Sequence, residues 1–256
     1  AEPRTGAILP ATAAAKELWM LGLDNQQKFF VNKKTENQLI HEALELGSFQ
    51  NDFYDVRLST AEQEEAQVRK ENWKKNKQQV VIGINTGASP TIPYKKLSVE
   101  NHTELIRKLQ QNGFQNIVLL GGKEDTSRNK QIALETHALQ SSTEFGLRDG
   151  LTSVHACDIV ISGDSLGMHM AIASSAYVIA WFGPTCAHEI ELYDRGQKIQ
   201  TTANCAPCWK RHCNEKKMCY DLVDLEEIMR AIHRGVEFCN KKQICRLNVA
   251  KLECQS

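Results

Sequence analysis

The sequence predicts an α/β protein: a parallel β-sheet with helices on both faces. Three observations lead there. Short apolar runs recur at Val80–Ile84, Ile117–Leu120, Ile159–Ile161 and Tyr177–Phe182, the pattern of strands buried on both sides. Segments with helix caps or helical spacing alternate with them. Residues 157–185, CDIVISGDSLGMHMAIASSAYVIAWFGPT, hold a complete βαβ unit: strand, polar turn Gly163-Asp164-Ser165, helix Leu166–Ser174, and a second strand ending at Gly183-Pro184.

Taken in order, Ala1–Pro10 has no start signature and reads as mid-domain sequence, and Ala11–Leu21 as a short helix. Thr35-Glu36-Asn37-Gln38 has the capping-box pattern, with Thr35 as N-cap and Gln38 reaching back. Leu39, Ile40, Ala43, Leu44 and Leu46 continue it as a helical stripe. Ser59 or Thr60 caps a polar helix to about Asn76, whose charge density and sparse apolar positions suggest an exposed or domain-bridging element. The domain boundary falls there, giving residues 1–75 as one part with its linker, 76–238 as the sheet domain and 239–256 as a cysteine-containing tail. Within the sheet domain, helices are expected over Ser98–Gln111, closed by Asn112-Gly113, over Ser127–Leu139, near Gly150–Ala156, and over Leu225–Phe238 with Asp224 as N-cap.

Length allows one large domain or two small ones with ample core. The 256 residues carry 31 basic and 31 acidic side chains, a balance that argues against a dedicated nucleic-acid binder. Of the basic stretches Lys74–Lys77 and Lys210–Lys217, the first reads as solvated surface. No apolar run approaches the ~20 residues that span a bilayer, and no signal peptide opens the chain, so a cytoplasmic protein is expected.

Three strand ends lead into small or polar loops: Asn85-Thr86-Gly87-Ala88-Ser89, Gly121-Gly122-Lys123-Glu124 and Gly163-Asp164-Ser165. Parallel sheets bind ligands at the carboxyl ends of their strands, and glycine loops ahead of helices offer amides to phosphate oxygens. Any one loop could serve tight turns alone; three in register favour a shared ligand. Lys95 or Lys96 could add a point charge to a diphosphate. Neither the Gly-x-Gly-x-x-Gly fingerprint nor the P-loop signature is present, which disfavours ordinary NAD binding and P-loop chemistry. His169 could cap or fill space as well as bind, and Asp164 could cap the following helix.

These pieces, in this order, resemble the ADP-heptose:lipopolysaccharide heptosyltransferases of glycosyltransferase family 9. The likeness runs over residues 80–220 through Asn85-Thr86-Gly87-Ala88, Lys95, Leu119-Leu120-Gly121-Gly122 with Glu124, Gly163-Asp164-Ser165-Leu166-Gly167-Met168-His169, Phe182-Gly183-Pro184-Thr185 and Cys205-Ala206-Pro207-Cys208. Residues 1–75, with Arg4-Thr5-Gly6 and Phe30-Val31-Asn32-Lys33-Lys34-Thr35, look like the latter part of the same family's N-terminal domain. The resemblance implies a GT-B fold: a Rossmann-like C-terminal domain with a parallel sheet, plus a remnant of a Rossmann-like N-terminal, acceptor-side domain. It implies an inverting glycosyltransferase that moves heptose or a related sugar from an ADP-sugar to a lipopolysaccharide-type acceptor, with peripheral membrane association. Thr86, Gly87 and Lys95 would hold the diphosphate, Glu124 the ribose, and Asp164, Ser165 and His169 the sugar-phosphate end. Amides, a lysine and a histidine aimed at the departing diphosphate stabilise its charge with no cofactor required for catalysis. Family members carry roughly a further small domain of sequence ahead of this chain's first residue. The catalytic carboxylate is expected there, so no catalytic residue is assigned. The chain departs from the family at Leu166-Gly167, where many members have Gly-Pro after the Asp-Thr/Ser pair; the change bears on donor choice.

Nine cysteines are present, none before Cys157 and seven after residue 200. Cys205, Cys208, Cys213 and Cys219 are spaced to wrap one structural zinc or iron; disulfides and free thiols are the competing readings. Two other functions stand beside the transferase: a nucleotide-sugar-binding fragment without activity, and a four-cysteine metal domain for macromolecular contacts.

Overall fold

The computed structural model describes residues 9–77 and 79–253, with side chains as far as residue 242. Arg4-Thr5-Gly6 and Cys254 lie outside the described residues, and the side chain of Cys245 outside the described side chains. The chain divides into two compact units: residues 1–53 with Cys186–Glu191, and Tyr54–Thr185 with Leu192–Ser256.

The smaller unit is helical among the described residues. Helix α1 (Ala13–Leu21) starts at Thr12, whose hydroxyl accepts from the Ala15 amide. A π-helical turn spans Gln27–Val31 and leads to α2 (Glu36–Ala43), capped by Thr35 accepting from the Gln38 amide. The reciprocal half of the expected capping box does not form, because Gln38 Nε2 donates forward to Glu42 at 2.8 Å.

The larger unit carries six parallel strands: β1 (Ile82–Asn85), β2 (Ile117–Leu120), β3 (Leu139–Gln140), β4 (Ile159–Gly163), β5 (Tyr177–Phe182) and β6 (Gly196–Gln200). Their order across the sheet is β3-β2-β1-β4-β5-β6, the doubly wound arrangement whose direction reverses between β1 and β4. Every residue of β1, β2, β4 and β5 is buried. Helices cover both faces: α4 (Val99–Gln111), α5 (Thr126–Thr136), α6 (Gly146–His155), α7 (Leu166–Ala173) and α8 (Leu225–Glu253), after the polar α3 (Thr60–Trp73). One core layer joins Ile82, Ile84, Ile117, Ile159 and Ile179 to Leu105 and Leu109 of α4 and Ile228 and Ile232 of α8.

Four expectations change. β3 and β6 are sheet-edge strands that the apolar pattern did not show, because β3 has only two residues and β6 is mostly polar. Where a helix to Leu139 was expected, α5 ends at Thr136. α8 continues to Glu253, so helix runs through the residues read as a tail. And α3 is docked, not exposed: Ala66 is buried, Arg69 Nη2 sits 2.5 Å from Asp149 Oδ1 on α6, and Lys70 Nζ sits 2.5 Å from Asp158 Oδ1. Asp158 Oδ2 accepts the Val81 amide at 2.9 Å, tying that ion pair to the start of β1. No helix among the described residues is long and apolar enough to cross a membrane.

His102 is buried on α4 with Nδ1 2.9 Å from the Ser98 carbonyl. Burial first, then the neighbouring Arg128 guanidinium, pull its pKa down to about 3 from 6.5. The unfolded chain therefore takes a proton below pH 6.5 that the folded chain refuses until about pH 3. The stability this gives is full above pH 6.5 and lost as pH falls, about 2 kcal/mol by pH 5. Burial lowers His155 in the same direction. Thermal melting from pH 7.5 to 5 is expected to show a falling Tm whose slope flattens in His102→Gln; an unchanged slope would assign the effect elsewhere.

Candidate active site

β2, β1 and β4 are neighbours, with Leu120 opposite Asn85 and Ile84 opposite Ile161. Their carboxyl ends emerge side by side at the point where strand order reverses, spanning about 10 Å at the usual strand spacing. The loops singled out in the sequence are those three ends.

Asn85 stitches two of them together. Its Nδ2 lies 3.0 Å from the Gly87 carbonyl, 3.0 Å from Ser162 Oγ and 2.9 Å from Ser165 Oγ. Asp164, between those serines, meets Lys95 Nζ at 2.8 Å through Oδ2. The pair is mostly shielded, with 13% and 17% of the respective side chains exposed. Lys95 closes a 3₁₀ turn, Pro93–Lys95, and its carbonyl rests where a Cβ on Gly163 would lie, 1.9 Å away. Only glycine permits that approach, so Gly163 sets the register of the ion pair.

Ser165 is the N-cap of α7 without capping through its side chain, which faces Asn85 instead. One turn on, His169 has Nδ1 3.3 Å from Tyr54 Oη, and the two rings stack with centroids 6.0 Å apart. Tyr54 also packs edge-on against Tyr193 at 5.9 Å. Glu124 is exposed on the turn after β2.

Thr86 lies deeper than the other residues singled out in the sequence. It is fully buried, its amide donates to the Leu120 carbonyl, and its hydroxyl lies 2.5 Å from Asn129 Oδ1. Both donors are engaged inside the protein, so Thr86 fixes the loop. The next residue does the shaping: a Cβ on Gly87 would fall 2.1 Å from Asp125 Oδ2.

Asp125, not its neighbour Glu124, is the buried acid here. Oδ2 accepts from the Gly122 amide at 3.0 Å, and Oδ1 faces Lys96 Nζ at 3.9 Å. Burial raises its carboxyl above the ordinary carboxylate value, against the Gly122 amide and the Lys96 ammonium. The sequence reading passed over Asp125, for which the Gly122-x-x-Asp125 spacing was the one available local signal; the contacts of Tyr54, Asn129 and Trp209 are tertiary and left no local signal.

The cysteine block leans on this site. The amides of Cys208 and Trp209 both donate to the Pro184 carbonyl beyond β5, at 3.0 and 2.9 Å. The Cys213 amide donates to Tyr94 Oη at 3.0 Å, and the Trp209 ring lies 5.4 Å from Lys95 Nζ. Cys219 is buried, and burial first, then Cys208, Cys213 and Cys205, push its thiol pKa up to about 11. The four thiols thus share one neighbourhood, which suits a soft cation that would hold them as thiolates. No three of the four sulfurs lie mutually within 4.8 Å, so closure of a tetrahedral shell needs side-chain rotation.

Solved glycosyltransferase structures share this doubly wound fold. The glycosyl transferase family 9 protein from Veillonella parvula DSM 2008 superposes with a TM-score of 0.62 at 16% identity, over 78% of this chain and 58% of that one. E. coli ADP-heptose LPS heptosyltransferase II gives a TM-score of 0.56 at 18% identity, over 76% and 56%. E. coli heptosyltransferase WaaC with ADP gives 0.52 at 16% identity, over 77% and 54%. The chain spans little more than half the length of these relatives. No curated protein matches it. The chain belongs to glycosyltransferase family 9 (heptosyltransferase), whose sequence model matches residues 15–219.

Proposed function

We propose that the larger unit grips the ADP part of a nucleotide sugar, and that the protein transfers heptose or a related sugar to a lipopolysaccharide-type acceptor with inversion. The observation that carries this reading is the shielded Lys95–Asp164 pair at the strand reversal point, 2.8 Å long. A lysine held there by a carboxylate is a preformed cation for a diphosphate. The Gly87 loop and the open start of α7 add backbone amides, Glu124 reaches the ribose, and Asp164, Ser165 and His169 face the sugar end. During transfer the acceptor oxygen bonds the anomeric carbon as that carbon's bond to the phosphate oxygen breaks, and negative charge collects on the released ADP, where Lys95 and the amides lie ready. The acceptor hydroxyl loses its proton to a base to which no residue of this chain is assigned. Zinc or iron at Cys205, Cys208, Cys213 and Cys219 would brace the loop beneath Trp209.

Thermal melting tests the donor half: millimolar ADP is expected to raise Tm by several degrees, and GDP or UDP much less. Turnover of ADP-heptose tests the rest. An unshifted Tm at saturating ADP would overturn the reading; a shift without turnover would leave a nucleotide-sugar-binding module.

A further inference from the structure

A second set of metal-type donors is made by residues other than the four-cysteine block and has no part in the proposed transfer. Cys186, His188 and Glu189 belong to the short segment that groups with the smaller unit. Their donor atoms (a thiol sulfur, an imidazole nitrogen and a carboxylate oxygen) lie within 4.8 Å of one another. Among the described residues no other set of three such side chains comes this close. Cys186 is 2% exposed, while His188 and Glu189 are half-buried. The 3₁₀ turn Ala187–Glu189 brings the three side chains together from four consecutive residues.

We propose that Cys186, His188 and Glu189 bind a zinc-class divalent cation, leaving one coordination position open. A tetrahedral zinc with bonds of about 2.0–2.3 Å needs its donors about 3.3–3.7 Å apart, so the triad closes by about 1 Å of side-chain rotation. Thiolate, imidazole and carboxylate together suit zinc or cobalt over magnesium or calcium, which prefer oxygen. Thiolate and carboxylate cancel the cation's charge, which makes the bound state neutral in a largely buried place. Three protein ligands with an open fourth position is the arrangement of exchangeable and catalytic zinc sites, whereas a structural site is closed by four.

One of the three donors already has a cationic neighbour. Lys28 Nζ, from the π-helical turn, lies 3.3 Å from Glu189 Oε1, with 21% and 13% of the two side chains exposed. An incoming metal shares Glu189 with that ammonium and is repelled by it. Removing the Lys28 charge should therefore tighten the site.

Cobalt(II) is the probe, added to chelator-stripped full chain carrying Cys205→Ser and Cys208→Ser to silence the other block. The expected result is one equivalent bound, with the strong visible bands of tetrahedral cobalt and a thiolate charge-transfer band. Adding Cys186→Ser should abolish the charge-transfer band, and His188→Ala should weaken binding about tenfold or more. Lys28→Met, which leaves all three donors in place, should tighten binding several-fold and so reads the site even if a donor variant misfolds. The same Lys28→Met and Cys186→Ser comparison in the chain with its other cysteines intact covers failure of the silenced background. Absence of cobalt binding in the folded silenced chain would overturn the proposal, as would a charge-transfer band that survives Cys186→Ser.

Discussion

Lys95→Met is expected to weaken ADP binding by about ten- to a hundredfold, the weight of a charge-assisted contact of about 1.5–3 kcal/mol. Asp164→Asn should behave oppositely toward ADP alone. Its carboxylate holds Lys95 at 2.8 Å and also repels the diphosphate, so neutralising it frees the ammonium and leaves ADP affinity equal or higher. What Asp164→Asn should lose is the preference for ADP-sugar over ADP, because the proposed sugar contact goes with the charge. Isothermal titration with ADP and ADP-heptose on both variants separates the roles. Equal loss of ADP binding in both would reduce Asp164 to holding Lys95 in place.

The second large effect concerns the cysteine block. Trp209 stands over Lys95, and the loop carrying it is anchored to Pro184 and Tyr94. Cys208→Ala should abolish the metal content assigned to the block and, by loosening that wall, weaken ADP binding about three- to tenfold. Trp209→Ala should keep the metal and lose the cation–π contact, about 0.5–2 kcal/mol. Metal analysis beside ADP titration reads both. Metal content unchanged in Cys208→Ala would remove the four-thiol proposal, and ADP affinity unchanged in both variants would detach the loop from the site.

The central sheet was legible because β2 and β5 are buried on both faces and have no polar residues to blur them; Ile117–Leu120 and Tyr177–Phe182 fall where the sequence placed them. The edges were not. β6 reads Gly-Gln-Lys-Ile-Gln, with Ile199 alone fully buried, and an edge strand pairs through its backbone whatever its side chains are. Helix caps were visible where one side chain decides them, as at Thr35 and Asp224. The docking of α3 was not, since it depends on Arg69 and Lys70 meeting acids about 80–90 residues away. The same division runs through the site. Strand-end loops announce themselves locally, so Gly87, Asp164 and Ser165 could be picked out. Whether a loop residue faces outward is settled by what packs behind it. Asn129 turns Thr86 inward, and the Gly122 amide turns Asp125 inward while Glu124 stays outside.

The close approach of the Lys95 carbonyl to Gly163 has a practical reach for anyone wishing to vary the proposed sugar site. A mutant library that randomises position 163 spends most of its members on chains whose Lys95–Asp164 pair has been pushed out of line. One that freezes Gly163 and Gly87 and varies Leu166, which is 60% exposed at the start of α7, can explore new surfaces beside an intact Lys95–Asp164 pair.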